Sequence, residues 1–318
     1  MSIKEKTKIF IDGGEGTTGL KIRERFEKRD DIEILEIENE LRKDDKTRSK
    51  YINAADYVFL CLPDSESIKA VAMCENPSTR IIDASTAHRV NKSWVYGLPE
   101  LSHNQTMKIK AAKRVSVPGC YATGFISLIY PLVSANIVQQ PYPMFCYAIS
   151  GYSGGGKKTI AQYNESPKPT ELTAPRLYAL DLNHKHLPEM RLYSGLSYTP
   201  MFSPVIADYF SGMVVVCPIT PKILHRKTNL EHLKEIYKKH YDSRPFVNVI
   251  ETNEAATKGT FLSANMLAGT NRMEIFVLGN KDQFLLVSRF DNLGKGASGA
   301  AVQCLNIMMG LDETFGLV

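Results

Sequence analysis

The 318-residue sequence predicts an α/β chain, with a doubly wound parallel sheet followed by a second domain of α+β type. Three observations predict it. Short apolar runs alternate with helical patterns up to Cys120, as parallel strands joined by crossover helices do. A glycine-spaced turn directly follows the first apolar run. Beyond Cys120 the apolar runs come with fewer helical stretches between them.

In chain order, "KIFIDGG" from Lys8 reads as a strand, "TTGLKIRERFEKR" as a helix and "DIEILEI" as a second strand. A polar helical region leads to "ADYVFLCLP", whose unbroken apolar run suits a strand buried on both faces. "SESIKAVAMC" is helical, "RIIDAS" a strand, and "RVSV" the last short strand before a corner at Pro118-Gly119. The turn "GGEGTTGL" spaces Gly13, Gly16 and Gly19 three apart, a variant of the dinucleotide fingerprint, with Thr17 and Thr18 as added hydroxyl donors. Glycines there let the backbone approach a pyrophosphate that the following helix N-terminus attracts. Near the end of the second strand, Glu36 and Glu38 favour NAD, whereas Arg42 and Lys43 favour NADP, so spacing alone leaves the cofactor open.

The later strands are "PMFCYAIS", "SGMVVVCPI", "RMEIFVLG" and "QFLLVSRF", in a mixed or antiparallel sheet. Between them His225 to Arg244 reads as an amphipathic helix, with a capping box at Thr228 and Glu231 and an apolar face of Leu230, Leu233, Tyr237 and Tyr241. The tail, residues 295–318, is a glycine-rich turn and a helix that returns to the first domain.

No run of 18 apolar residues exists, so no membrane span is expected, and the opening residues lack a signal-peptide core. The chain is expected to be cytoplasmic, with its six cysteines reduced. They form no C-x-x-C pair, and no metal site is expected. The net charge of +5 is scattered without an aromatic-basic pattern, which argues against a nucleic-acid partner.

Five cysteines fit strand or helix interiors, but Cys120 stands at the Pro-Gly corner where a helix begins. A helix N-terminus lowers a thiol's pKa, and the thiolate is the nucleophile. His184 and His186 stand two apart, so an extended segment would turn both to one side, with Glu189 able to orient a ring. His88, His103, His225, His232 and His240 read as surface or turn residues. A nucleotide fold with a thiolate and a histidine suits one reaction: attack on an acyl phosphate, loss of phosphate, and reduction of the resulting thioester to an aldehyde.

"WVYGLPEL", "VPGCYATG", "SGYSGGGKK", "HKHLPEM" and "DNLGKGASGAAVQCLNIMMG", running in this order over nearly the whole chain, resemble the N-acetyl-gamma-glutamyl-phosphate reductases of arginine biosynthesis, shorter subfamily. The resemblance implies a Rossmann-type domain (1–119, with 295–318 returning to it) and a catalytic and oligomerisation domain (120–294), the architecture of aspartate-semialdehyde and glyceraldehyde-3-phosphate dehydrogenases. It implies NADP(H), with NAD(H) kept open by Glu36, a small acyl-phosphate substrate, and a homo-oligomer, dimer or tetramer. Cys120 matches the nucleophile and His186 with Glu189 the base, while His184 faces oxyanion or substrate; the two histidine roles stay interchangeable. Ser85, Arg89, Ser150, Gly151 and Lys157 match substrate-binding positions. Asn292 matches a position near the nicotinamide, with Gly296 on the turn beside it. An aspartyl-phosphate reductase and a dinucleotide-sensing protein without catalysis are the alternatives.

Overall fold

The computed structural model describes residues 6–251 and 260–317; the outermost residues of the expected first domain, 1–5 and 318, lie outside them. The chain divides into two compact units. The first takes the residues up to Leu98, Thr106–Pro118 and those from Ala297 on; the second takes Pro99–Gln105 and Gly119–Gly296.

The first unit is built on a parallel sheet of β1 (Thr7–Asp12), β2 (Ile32–Leu35), β3 (Tyr57–Leu60), β4 (Arg80–Asp83), β5 (Val95–Tyr96) and β6 (Arg114–Ser116). Helices α1 (Thr17–Phe26), α2 (Asp45–Ala54), α3 (Asp64–Ala72) and α4 (Gln105–Ala111) connect the strands. Every residue of β3 is buried, as a central strand covered on both faces requires. Phe10, Ile52, Val58, Leu60 and Ile81 form the core on one side, closed by Trp94. The strand order β2-β1-β3-β4-β6-β5 sends the chain from β1 outward to β2 and then back across to β3. That reversal opens a crevice at the carboxyl end of β1, where open α/β sheets bind ligands. The C-terminal helix, Gly299–Met309, packs in this unit: Asn306 Oδ1 accepts from Arg29 Nη1 at 2.8 Å, and the Met308 carbonyl from Arg80 Nη1 at 2.7 Å.

The second unit runs α5 (Cys120–Ser134), β7 (Phe145–Gly151), α6 (Gly156–Tyr163), β8 (Arg176–Leu177), α7 (Leu187–Ser194), β9 (Met201–Ala207), β10 (Met213–Ile219), α8 (Leu230–His240), β11 (Val247–Val249), β12 (Met273–Gly279) and β13 (Phe284–Phe290). Its sheet is mixed, in the order β11-β12-β13-β10-β7-β9-β8, with β7–β9 and β11–β12 parallel. Helix α5 is apolar nearly all round and is buried accordingly, against β10, β13 and α7. In α8, Leu233, Tyr237 and the following Tyr241 turn inward. The expected capping box does not form. Asn229 is the N-cap, its Oδ1 accepting from His232 N at 2.9 Å, while Thr228 Oγ1 lies 2.9 Å from His232 Nδ1 instead.

Candidate active site

The corner before α5 is made by Pro118 and Gly119, and Gly119 is the N-cap. Cys120 is thereby the first helical residue, partly exposed, at the positive end of a 15-residue helix, where an anionic sulfur is favoured. The first-turn N–H groups of such a helix have no acceptor within it and suit an oxyanion. Two contacts set the corner. Glu189, buried in the first turn of α7, accepts from Gly119 N through Oε2 at 3.1 Å. A Cβ on Gly296 would come 2.8 Å from Cys120 Cβ, so only glycine lets the 294–298 turn lie against the cysteine.

His184 and His186 are brought together by a tight turn rather than by an extended segment: Leu187 N donates to the His184 carbonyl at 3.0 Å as the chain enters α7. Both rings are buried, 4.6 Å apart and near-perpendicular, with Lys185 between them exposed. His184 Nδ1 accepts from the His186 backbone N–H at 3.1 Å. In the neutral ring this places the proton on Nε2, which lies 3.5 Å from Tyr178 Oη.

Two tyrosines that sequence reasoning missed complete the cluster. Tyr121 packs its ring on both histidines, and the ring of Tyr178 lies 6.5 Å from it. Burial pushes the Tyr121 phenol well above its usual range, and burial does the same for Tyr178. Both are neutral hydrogen-bonding groups. Tyr121 follows the cysteine directly and was legible as part of the helix alone; Tyr178 lies in irregular chain with no motif to mark it.

Ser150 and Gly151 end β7, and Ser150 is buried beside Tyr121. Lys157 is exposed in the first turn of α6. Asn292 is buried and fixes two loops, its Oδ1 accepting from Gly212 N at 2.8 Å and its Nδ2 donating to Ser153 Oγ at 2.9 Å. Behind the 294–298 turn lies a further pair absent from the sequence reading. Lys295 and Glu100 are 0% and 1% exposed, and Nζ donates to both carboxylate oxygens at 2.8 and 2.9 Å.

In the first unit, Gly13, Gly16 and Arg42 line a cavity of about 910 Å³ at the carboxyl end of β1, and Thr17, Thr18 and Gly19 form the first turn of α1. Gly13 has φ +83°, and a Cβ on it would come 2.4 Å from the Cys61 carbonyl oxygen. A Cβ on Gly19 would come 2.7 Å from the Gly13 oxygen. Side chains would fill this cradle; bare backbone over a helix N-terminus fits a dinucleotide pyrophosphate. Asp12, at the end of β1, is held by Arg48 through Nη2 at 2.9 Å, and burial raises its carboxyl above the usual range. Burial also pushes the Cys61 thiol up to about 12.

Ser85 and Arg89 lie in the loop after β4, and both are buried. Ser85 Oγ donates to Asp83 Oδ2 at 2.8 Å; Arg89 Nε and Nη2 donate to the carbonyls of Val117 and Ala84 at 2.9 and 3.0 Å. His88 is not a surface residue. Its Nδ1 lies 2.6 Å from Asp83 Oδ2, and its ring stacks on Trp94 at 4.2 Å, because the fully buried Asp83 carboxylate draws polar partners inward. His240 also departs from the expected surface setting, half-buried with Nε2 3.0 Å from the Glu100 carbonyl.

The family model for the NAD binding domain of semialdehyde dehydrogenase matches residues 8–109, and that for the semialdehyde dehydrogenase dimerisation domain matches 120–292. An N-acetyl-gamma-glutamyl-phosphate reductase 2 of Nostoc sp. is 44% identical over 98% of this chain and 99% of its own length. The N-acetyl-gamma-glutamyl-phosphate reductase of Brucella ovis is 45% identical over 96% and 99%. Among solved structures, aspartate semialdehyde dehydrogenase II of Vibrio cholerae superposes with a TM-score of 0.72 over 96% of this chain and 99% of its own, at 13% identity. The aspartate semialdehyde dehydrogenase of Francisella tularensis gives 0.70 over 95% and 100%, at 15%. These structures share the fold, an α/β nucleotide-binding sheet joined to a mixed-sheet domain. No helix among the described residues is long and apolar enough to cross a membrane. The chain belongs to the N-acetyl-gamma-glutamyl-phosphate reductase family of semialdehyde dehydrogenases and is an oxidoreductase.

Proposed function

We propose that this chain reduces N-acetyl-L-glutamyl 5-phosphate to N-acetyl-L-glutamate 5-semialdehyde and phosphate, with NADP(H), through a thioester on Cys120. The observation that carries the reading is the cysteine at the first position of α5, with the paired rings of His184 and His186 against the neighbouring Tyr121. Cys120 Sγ attacks the acyl carbonyl, first-turn N–H groups of α5 hold the oxyanion, and phosphate leaves with the electrons of the C–O bond. The reduced nicotinamide, when bound, supplies the hydride that takes the thioester to the aldehyde level. Cys120 then departs as a thiolate, and a proton returns to it.

His186 is the proposed base. In support, His184 already accepts a backbone N–H on Nδ1 and so presents an Nε2 proton, which suits a donor to substrate oxygen. Glu189 acts on the corner itself by holding the Gly119 amide. Ser150, Gly151 and Lys157 are the proposed substrate contacts in the second unit, and Ser85 and Arg89 those in the first. Gly13, Gly16, Thr17, Thr18, Gly19 and Arg42 hold the dinucleotide, and Asn292 shapes the loops on the nicotinamide side. The second unit matches a dimerisation domain, which supports a homo-oligomer, and the biosynthetic relatives support a cytoplasmic setting.

The reaction is tested in reverse, because the acyl phosphate is unstable. The protein is mixed with N-acetylglutamate semialdehyde, phosphate and NADP⁺ or NAD⁺, and reduced cofactor is followed by absorbance. Phosphate-dependent reduction is expected, and Cys120→Ser should abolish it while the protein still binds the dinucleotide. No signal from folded protein, or a faster reaction with aspartate semialdehyde, would overturn the substrate assignment.

A further inference from the structure

The end of β2 carries an arrangement that the cofactor reading does not yet use. Glu36, the first residue after that strand, stands where an acidic side chain accepts the ribose hydroxyls of NAD. By itself it would repel a 2′-phosphate. Its carboxylate is, however, ion-paired with Nη1 of Arg23, from the helix that follows the glycine loop. Both side chains line the cavity of the first unit. The other terminal nitrogen of Arg23, Nη2, lies 3.8 Å from where a Cβ on Gly14 would be, so the guanidinium sits between the glycine loop and the end of β2.

We propose that Arg23 reads the 2′-phosphate of NADP(H), and that Glu36 is its displaceable counter-ion. The side chains are 34% and 66% exposed, and an ion pair so exposed contributes little net stability. Glu36, the more exposed partner, can rotate into solvent at small cost. A phosphate offers the guanidinium fork a doubly charged, bidentate acceptor, better matched than the carboxylate it replaces. With NAD the exchange does not occur: Glu36 keeps Arg23 and accepts from the ribose hydroxyls. Arg42 and Lys43, exposed residues that also line the cavity, add attraction for the phosphate.

This inference rests on the cavity being the dinucleotide site, and not on the identity of the acyl substrate. Its test is therefore binding alone, by calorimetry with NADP⁺ and NAD⁺ and no acyl substrate present. Arg23→Gln, in a partly exposed helix position, should weaken NADP⁺ by about 10- to 100-fold and NAD⁺ by less than about threefold. Glu36→Gln should tighten NADP⁺ by about tenfold and weaken NAD⁺. An equal loss of both nucleotides in Arg23→Gln overturns the assignment and makes Arg23 part of the common cradle. So does an unchanged NADP⁺ affinity in Arg23→Gln accompanied by a loss in Arg42→Gln or Lys43→Gln. A folded wild-type protein that binds neither nucleotide removes the cavity reading itself, an outcome distinct from failure of Arg23 alone.

Discussion

Lys295→Met tests how much the second unit depends on a pair of charges that no solvent reaches. Lys295 and Glu100 are 0% and 1% exposed, with Nζ bonded to both carboxylate oxygens and lying 5.7 Å from the ring centroid of Phe246. Methionine keeps the stem and removes the ammonium, leaving the Glu100 carboxylate buried without its cation. Breaking a buried pair from one side costs about 3–5 kcal/mol. At about 2–4 °C per kcal/mol for a unit of this size, thermal unfolding should move down by about 6–20 °C. The loss should also depend on pH. A buried carboxyl that loses a bonded cation has its pKa raised, so protonation relieves the penalty, and the deficit against wild type should be smaller at pH 5 than at pH 8. The double variant Glu100→Leu/Lys295→Met removes both charges and should recover most of the loss, since an apolar pair of similar volume replaces a buried ion pair at little cost. Calorimetric unfolding of the four proteins at the two pH values measures this. Single variants within about 1 kcal/mol of wild type, with additive effects, would refute the view that the pair is dry and coupled.

Three further outcomes follow from the same geometry. Gly296→Ala should lower kcat at least tenfold, because its methyl, 2.8 Å from Cys120 Cβ, must displace either the turn or Cys120, the proposed nucleophile; steady-state kinetics of the folded variant measure it, and unchanged kcat would show that the turn has slack. Tyr178→Phe removes the hydroxyl near His184 Nε2 and should lower kcat by up to about tenfold and move the pH profile, while unfolding temperature stays near wild type. Burial lowers the His240 pKa below its ordinary 6.5, so the unfolded chain binds the extra proton first. Stability should thus be full above pH 6.5 and fall as pH drops below it, and His240→Gln should flatten that part of a Tm-against-pH curve.

The parts of the fold legible in the sequence are those where local pattern and burial agree. β3 and β10 are unbroken apolar runs, and β1, β12 and β13 mostly apolar ones, that the sheet buries. β9 escaped because it is half-covered and carries Pro204, which breaks the strand pattern; its parallel pairing with β7 makes the sheet mixed. Pattern also misplaced polar residues. His88 reads as a turn histidine until Asp83, five residues earlier and fully buried, is seen to need it.

The candidate site divides along the same line. The corner position of Cys120 was legible because a Pro-Gly turn before an apolar helix is a local signal, and the turn before α1 was legible likewise. The histidine pair was found for a partly mistaken reason: adjacency was expected from extended chain, and a turn supplies it instead. The turn folds the chain back so that the two rings meet 4.6 Å apart, a route that alternation along an extended chain does not describe. Tyr178, Lys295 and Arg23 were not found: Tyr178 meets His184 six residues on, across irregular chain, while Lys295 meets Glu100 across 195 residues and Arg23 meets Glu36 across 13. Charge complementarity at long range leaves no periodic trace in one sequence. In the readings proposed above, those residues bear on what the local motifs leave undecided: Tyr178 on the histidine proton, Lys295 on the turn against Cys120, and Arg23 on the choice between two cofactors. A local motif identifies the chemistry, and the long-range pair tunes it.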